Sequence, residues 1–214
     1  MQQFLTVALP LVATVTTNVA TLPSVFPPPP VSGPPPFSII KEEPTSKTAT
    51  KEVAPAEKPK EKRLICKGCN ENENEALDYF QDIGIKDKNA LAAIMGNIKQ
   101  ESKFYADVCE GGSRRSYSSC WGGYGLIQWT SSNRYYGLGD FARKIGSSPS
   151  SMDTQLKYLS SEVQWKKIEE KMKTPGKSID RYMNYTYNWI GWGYHGSRTS
   201  YAYDYASRIV ETEA

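Results

Sequence analysis

A carboxylate stands on an apolar stripe in this chain. The stretch from Asp87 to Ser102 carries Leu91, Ile94, Met95 and Ile98 at helical spacing. Glu101, three residues after Ile98 and seven after Ile94, leaves from that same face. Burial penalises the charged form of a carboxyl group, so one held there without a cation keeps its proton to higher pH, as a general acid working near neutrality must. The bland alternatives are a last-turn side chain pointing to water, or one paired with Lys103 or an Arg. A second group of residues lies downstream, where Trp121-Gly122-Gly123-Tyr124-Gly125-Leu126-Ile127-Gln128-Trp129 combines three kinds of residue. Its glycines let backbone approach a ligand, its aromatic rings stack on sugar faces, and its amide bridges hydroxyls. Leu126 and Ile127 also suit a buried turn, whereas three glycines beside Tyr and Trp suit the floor of a groove.

These groups must be positioned by helices. Ala76, Tyr79, Phe80 and Ile83 share one face of Glu75 to Ile83, which ends at Gly84, and Asp87 is the expected cap of the next helix. Amphipathic segments follow at Tyr135 to Ile145, Ser151 to Met172, Ser178 to Trp189 and Arg198 to Glu211. Between the helix capped by Asp87 and the Tyr135 segment lies the Gly-, Ser- and aromatic-rich stretch Asp107 to Ser132. No run of alternating strands and no internal repeat is present. The pattern predicts a mainly α domain with one irregular loop or short hairpin inserted.

Glu101-Ser102 within NIKQESKF, followed 27 residues after the Glu by Gln128 in GYGLIQW, resembles the paired motifs of the goose-type lysozyme and lytic transglycosylase superfamily. Within that group LAAIMGNIKQESKF, GGYGLIQWTSSNRY with Arg134, and Gln155 to Glu162 look like the phage tail lysozyme family. The resemblance spans residues 74–210. It implies a lysozyme-like fold in which Glu101 protonates the glycosidic oxygen while Tyr124 and Gln128 line the sugar site. The implied substrate is the bond between N-acetylmuramic acid and N-acetylglucosamine in peptidoglycan. Ser102, Gly125, Trp129 and Thr130 complete the expected substrate-binding set around those motifs. Thr186-Tyr187-Asn188 is similar to the Ala-Tyr-Asn motif of lytic transglycosylases and adds Tyr187 and Asn188.

Glycoside hydrolases usually use two carboxylates, about 5 Å apart for retention and up to roughly 9.5 Å for inversion. Goose-type lysozymes that position water with an acid carry it shortly after the Gln, where this chain has Thr130. Asp107 and Glu110 are the nearest substitutes by sequence. In a lytic transglycosylase the substrate's own hydroxyl attacks, and one Glu acts first as acid and then as base. Both outcomes stay open at the level of sequence.

Cys66-Lys67-Gly68-Cys69 suggests zinc, a redox pair or a disulfide. A zinc site wants a second close pair, and Cys109 and Cys120 are too far apart in sequence to supply one. Two disulfides are the expectation for a chain working outside a cytoplasm, with Cys109 to Cys120 the principal bridge; reduced, buried thiols are the alternative. His195, in GWGYHGSR, is either a sugar-contacting loop residue or an ordinary surface histidine. No metal and no cofactor is expected.

The surrounding composition locates this machinery. Twelve of the 14 prolines precede residue 60, whereas all five Trp, all 14 Tyr and the single His follow residue 78, so the core is C-terminal. A net charge of +3 from 26 basic and 23 acidic residues is too balanced for a nucleic-acid binder, which needs uncompensated basic charge. Residues 1–40 carry no charge, and three readings fit them: a secretory signal, a membrane anchor, or a Pro- and Thr-rich tether that orders against a partner protein. Residues 41–70 read as a charged, disordered linker with the CxxC at its end, since 12 of residues 41–63 are charged and none is aromatic. Residues 71–214 read as the catalytic domain. The whole suggests a muralytic head on a stalk, carried in a virion tail with other virion proteins as partners of residues 1–40, or exported to the cell envelope. A secreted bacterial lytic transglycosylase is one alternative. The other is a non-catalytic wall-binding or structural virion module, which would not require an acid on the apolar stripe.

Overall fold

The structure, a computed structural model, describes residues 63–212. The expectations for residues 1–40 and for most of the linker lie outside them. Eight helices carry the described chain: α1 (Glu71–Asp82), α2 (Lys88–Ser102), α3 (Ser132–Lys144), α4 (Met152–Ser161), α5 (Val163–Lys166), α6 (Glu169–Lys173), α7 (Ile179–Ile190) and α8 (Arg198–Arg208). The mainly α fold class is borne out. Four of these helices, α1, α2, α4 and α7, start at a side-chain cap. Asn70 and Glu73 form a capping box on α1, Asp87 accepts from Asn89 and Ala90 N–H at the start of α2, and Ser178 caps α7.

The α2 helix is the axis of the domain. Residues 90–98 are all buried, more than the single expected stripe, because α8, α7 and α1 all pack on this helix. The closest approach is at Gly96, where an added Cβ would lie 2.6 Å from Ala202 N and 2.7 Å from Arg198 O. A glycine is required there for α8 to lie flush, and that contact sets where Arg198 meets the end of α2.

Two expectations change. The single segment Ser151 to Met172 is three helices, since Glu162 is extended (φ −68°, ψ 145°) between α4 and α5. That break turns its carboxylate inward, where it bonds Trp129 Nε1 at 3.0 Å and Arg134 Nε at 2.7 Å; those bonds outweigh helix continuity. The linker also ends earlier than residue 70. Leu64–Cys66 form a strand, β1, antiparallel to β2 (Ile209–Glu211), and Leu64 bonds the Gln81 amide from both its N–H and its carbonyl. The folded unit therefore begins by residue 63 and closes N- to C-terminus, a long-range pairing that no local periodicity reveals.

Candidate active site

Glu101 is the penultimate residue of α2. Lys103 and Phe104, at φ 53° and 65°, turn the chain sharply away after the helix. The fold holds this costly reversal by burying Phe104 and bonding its N–H to Ser102 Oγ at 3.1 Å. Ser102 Oγ also donates to Leu126 O at 3.0 Å, stitching the helix end to the glycine-rich loop. Gln155, fully buried, fixes the other side of that loop: its Oε1 accepts from Leu126 N–H at 2.8 Å and its Nε2 donates to Ala106 O at 2.6 Å. Gln128, itself at φ 51°, donates to Gly125 O at 3.0 Å and Val108 O at 3.3 Å. Cys109 and Cys120 are joined, and so are Cys66 and Cys69.

The result is a cleft of about 470 Å³ whose walls include Gln100, Glu101, Gln128, Thr130, Arg134 and Trp192. A second hollow of about 230 Å³ continues past Gln100, Glu101 and Gln128 to Lys103, Tyr105 and Arg114. Glu101 thus lines both hollows, which together make a trough along the surface. Its side chain is 14% exposed and pairs with Arg198 Nη2, whose own side chain is 4% exposed. Burial pushes the Glu101 carboxyl above the ordinary carboxylate range, and the Arg198 charge opposes that rise without cancelling it. Burial also lowers Arg198. Arg198 donates to His195 O at 3.1 Å and lies 5.0 Å from the Trp192 ring centroid.

This pair has a pH signature. A general acid acts while protonated, so with Glu101 in that role activity would be lost as pH rises through its pKa, at a point above the ordinary 4.5. Removing the opposing cation raises that pKa further. Arg198→Leu should therefore shift the alkaline limb of the kcat/KM profile to higher pH, whatever happens to its height. A limb that stays in place would show that Arg198 does not tune the acid.

The expected site residues divide. Gln128 and Thr130 line the trough with Glu101. Tyr124 does not: it is fully buried, its hydroxyl 2.6 Å from Ser150 Oγ and its ring edge-on to Tyr117. Trp129 is equally buried, and Gly125 and Ser102 act through backbone and loop bonding. Tyr124, Gly125 and Trp129 are absent from the trough wall, whereas Ser102 also lines its second hollow. Tyr187 and Asn188 are exposed near the end of α7; Tyr187 packs edge-on against Trp192 at 5.1 Å, one layer behind the cleft wall. Asp107 is paired with Arg114 at 2.8 Å and Glu110 accepts from Gly123 N–H at 3.0 Å; neither lines the trough. His195 is exposed and bonds to Thr199 Oγ1 at 3.1 Å. Sequence reasoning missed Arg198 and Trp192 as wall residues. The signal for Arg198 was weak: an Arg at the start of an amphipathic segment, 97 residues from its partner.

A family model described as phage tail lysozyme matches residues 71–211. No curated protein and no solved structure matches the chain.

Proposed function

Because the chain belongs to the phage tail lysozyme family, we propose that it cleaves the bond between N-acetylmuramic acid and N-acetylglucosamine, with Glu101 as the proton donor. The observation that carries this reading is Glu101 itself: a carboxyl group raised by burial, at the centre of an open trough able to hold a polysaccharide strand. Gln128 and Thr130 present polar groups beside it, and Trp192 offers a ring for a sugar face.

Among the described residues lining the trough Glu101 is the one carboxylate, which favours the single-acid route. Glu101 protonates the departing glycosidic oxygen, and the resulting carboxylate then accepts the proton of the muramic acid C6 hydroxyl as that oxygen bonds to C1. The C1–O bond breaks, a 1,6-anhydro ring forms, and no water is consumed. Arg198 steadies the carboxylate between the two steps. Delivery within a virion tail, with residues 1–40 as the attachment, is supported by the family and by the contrast between an uncharged N-terminus and a charged stretch behind it.

The test is the turbidity of purified cell walls. The full chain should clear them; walls that bind the protein and stay turbid would establish a wall-binding module instead.

A further inference from the structure

We infer that Trp121, with Tyr136 and the stacked tyrosines beneath them, forms a second carbohydrate platform that grips the polysaccharide strand away from the scissile bond. The inference rests on the glycosidase reading for the identity of the strand. Trp121 is 90% exposed and Tyr136 66% exposed. Other rings are exposed singly, but these two share one hollow and so form a contiguous aromatic surface, the kind that marks a partner site. They border a hollow of about 490 Å³ whose floor is Tyr117 and Tyr135, stacked at 4.5 Å with planes 16° apart. Thr130 lines both this hollow and the catalytic trough. A strand lying over Glu101 therefore reaches the platform without leaving the surface.

The backbone that presents Trp121 is clamped on both sides. Cys120 is tied to Cys109. On the other side Gly122, at φ 80°, lies so close to Glu110 that an added Cβ would sit 2.0 Å from Oε2, while that same oxygen accepts from Gly123 N–H at 3.0 Å. The ring is thus free and its base fixed. Among the described residues nothing in the packing requires an indole there, since Trp121 is neither in the core nor in a ring contact with another described residue. A preformed aromatic shelf with polar neighbours, Ser118, Thr130 and Ser132, suits the apolar face and rim hydroxyls of a pyranose better than an all-apolar partner.

The experiment measures binding in the Glu101→Gln background, so that strands stay intact. Peptide-free alternating N-acetylglucosamine and N-acetylmuramic acid oligomers, a tetrasaccharide and an octasaccharide or longer, are titrated calorimetrically. The long oligomer should bind about tenfold more tightly than the tetrasaccharide, and Trp121→Ala should erase most of that gain, with Tyr136→Ala removing a smaller part. The melting temperature should not move, since both rings are exposed. Equal affinity of Trp121→Ala and its parent for the long oligomer would overturn the inference. So would a gain that appears only when the strand carries its stem peptides, because the platform would then hold peptide. Failure of the glycosidase reading looks different: a Trp121-dependent length gain together with no strand cleavage by the Glu101-intact protein leaves the platform standing and removes the enzyme.

Discussion

Glu101→Gln should leave a folded protein that clears cell walls at least about 10²-fold more slowly than the parent, the loss expected when a general acid can no longer give a proton. The amide occupies the same volume at the end of α2, and its oxygen still accepts from Arg198, so the trough keeps its shape. What changes is the proton. The proposed role rests on a conflict between burial, which favours the neutral acid, and Arg198, which favours the carboxylate; the amide takes no part in it. Stopped assays on purified walls, with a melting curve for each protein, check this. A variant that melts near the parent temperature and clears walls at the parent rate would remove Glu101 from the chemistry.

Glu162→Ala should produce the largest loss of stability. One carboxylate accepts Trp129 Nε1 at 3.0 Å and both Arg134 Nε and Nη2, at 2.7 and 2.8 Å, in a nearly dry pocket. Alanine orphans a buried indole N–H and strands a half-buried guanidinium, and losing one partner of such a pair costs about 3–5 kcal/mol. In a domain of this size the melting temperature should fall by roughly 10 °C. Glu162→Gln, which keeps an acceptor for the indole, should fall less. Because Arg134 also lines the trough, glycan affinity should weaken in the alanine variant even well below its melting point. A melting temperature within about a degree of the parent would mean that helix continuity across residue 162 offsets those bonds.

Where local chemistry decides, the sequence is readable. Asp87 as a cap, the apolar spacing through Ile98 and the position of Glu101 on it follow from periodicity and capping alone. The break at Glu162 and the pairing of Leu64–Cys66 with Ile209–Glu211 do not, because the stabilising partners lie far along the chain. The same limit governs the site. Types and spacing single out Glu101 and Gln128, but Tyr124 and Trp129 have the composition of a sugar platform and the burial of a core. A ring beside glycine is equally apt to pack under a loop as to line it, and only the tertiary structure separates Trp129, under the loop, from Trp121, above it. Arg198 reaches Glu101 because Gly96 lets α8 lie against α2, a contact between residues 102 positions apart in the case of Gly96 and Arg198 (198 − 96).

The most direct measurement is mass spectrometry of the fragments that the full chain releases from purified peptidoglycan, run beside Glu101→Gln. The account predicts glycan fragments ending in 1,6-anhydro-N-acetylmuramic acid from the parent and none from the variant. Reducing N-acetylmuramic acid ends would keep the bond and the acid but put water in place of the internal hydroxyl. Fragments ending in reducing N-acetylglucosamine, cleaved stem peptides on intact strands, or the same products from Glu101→Gln would contradict it.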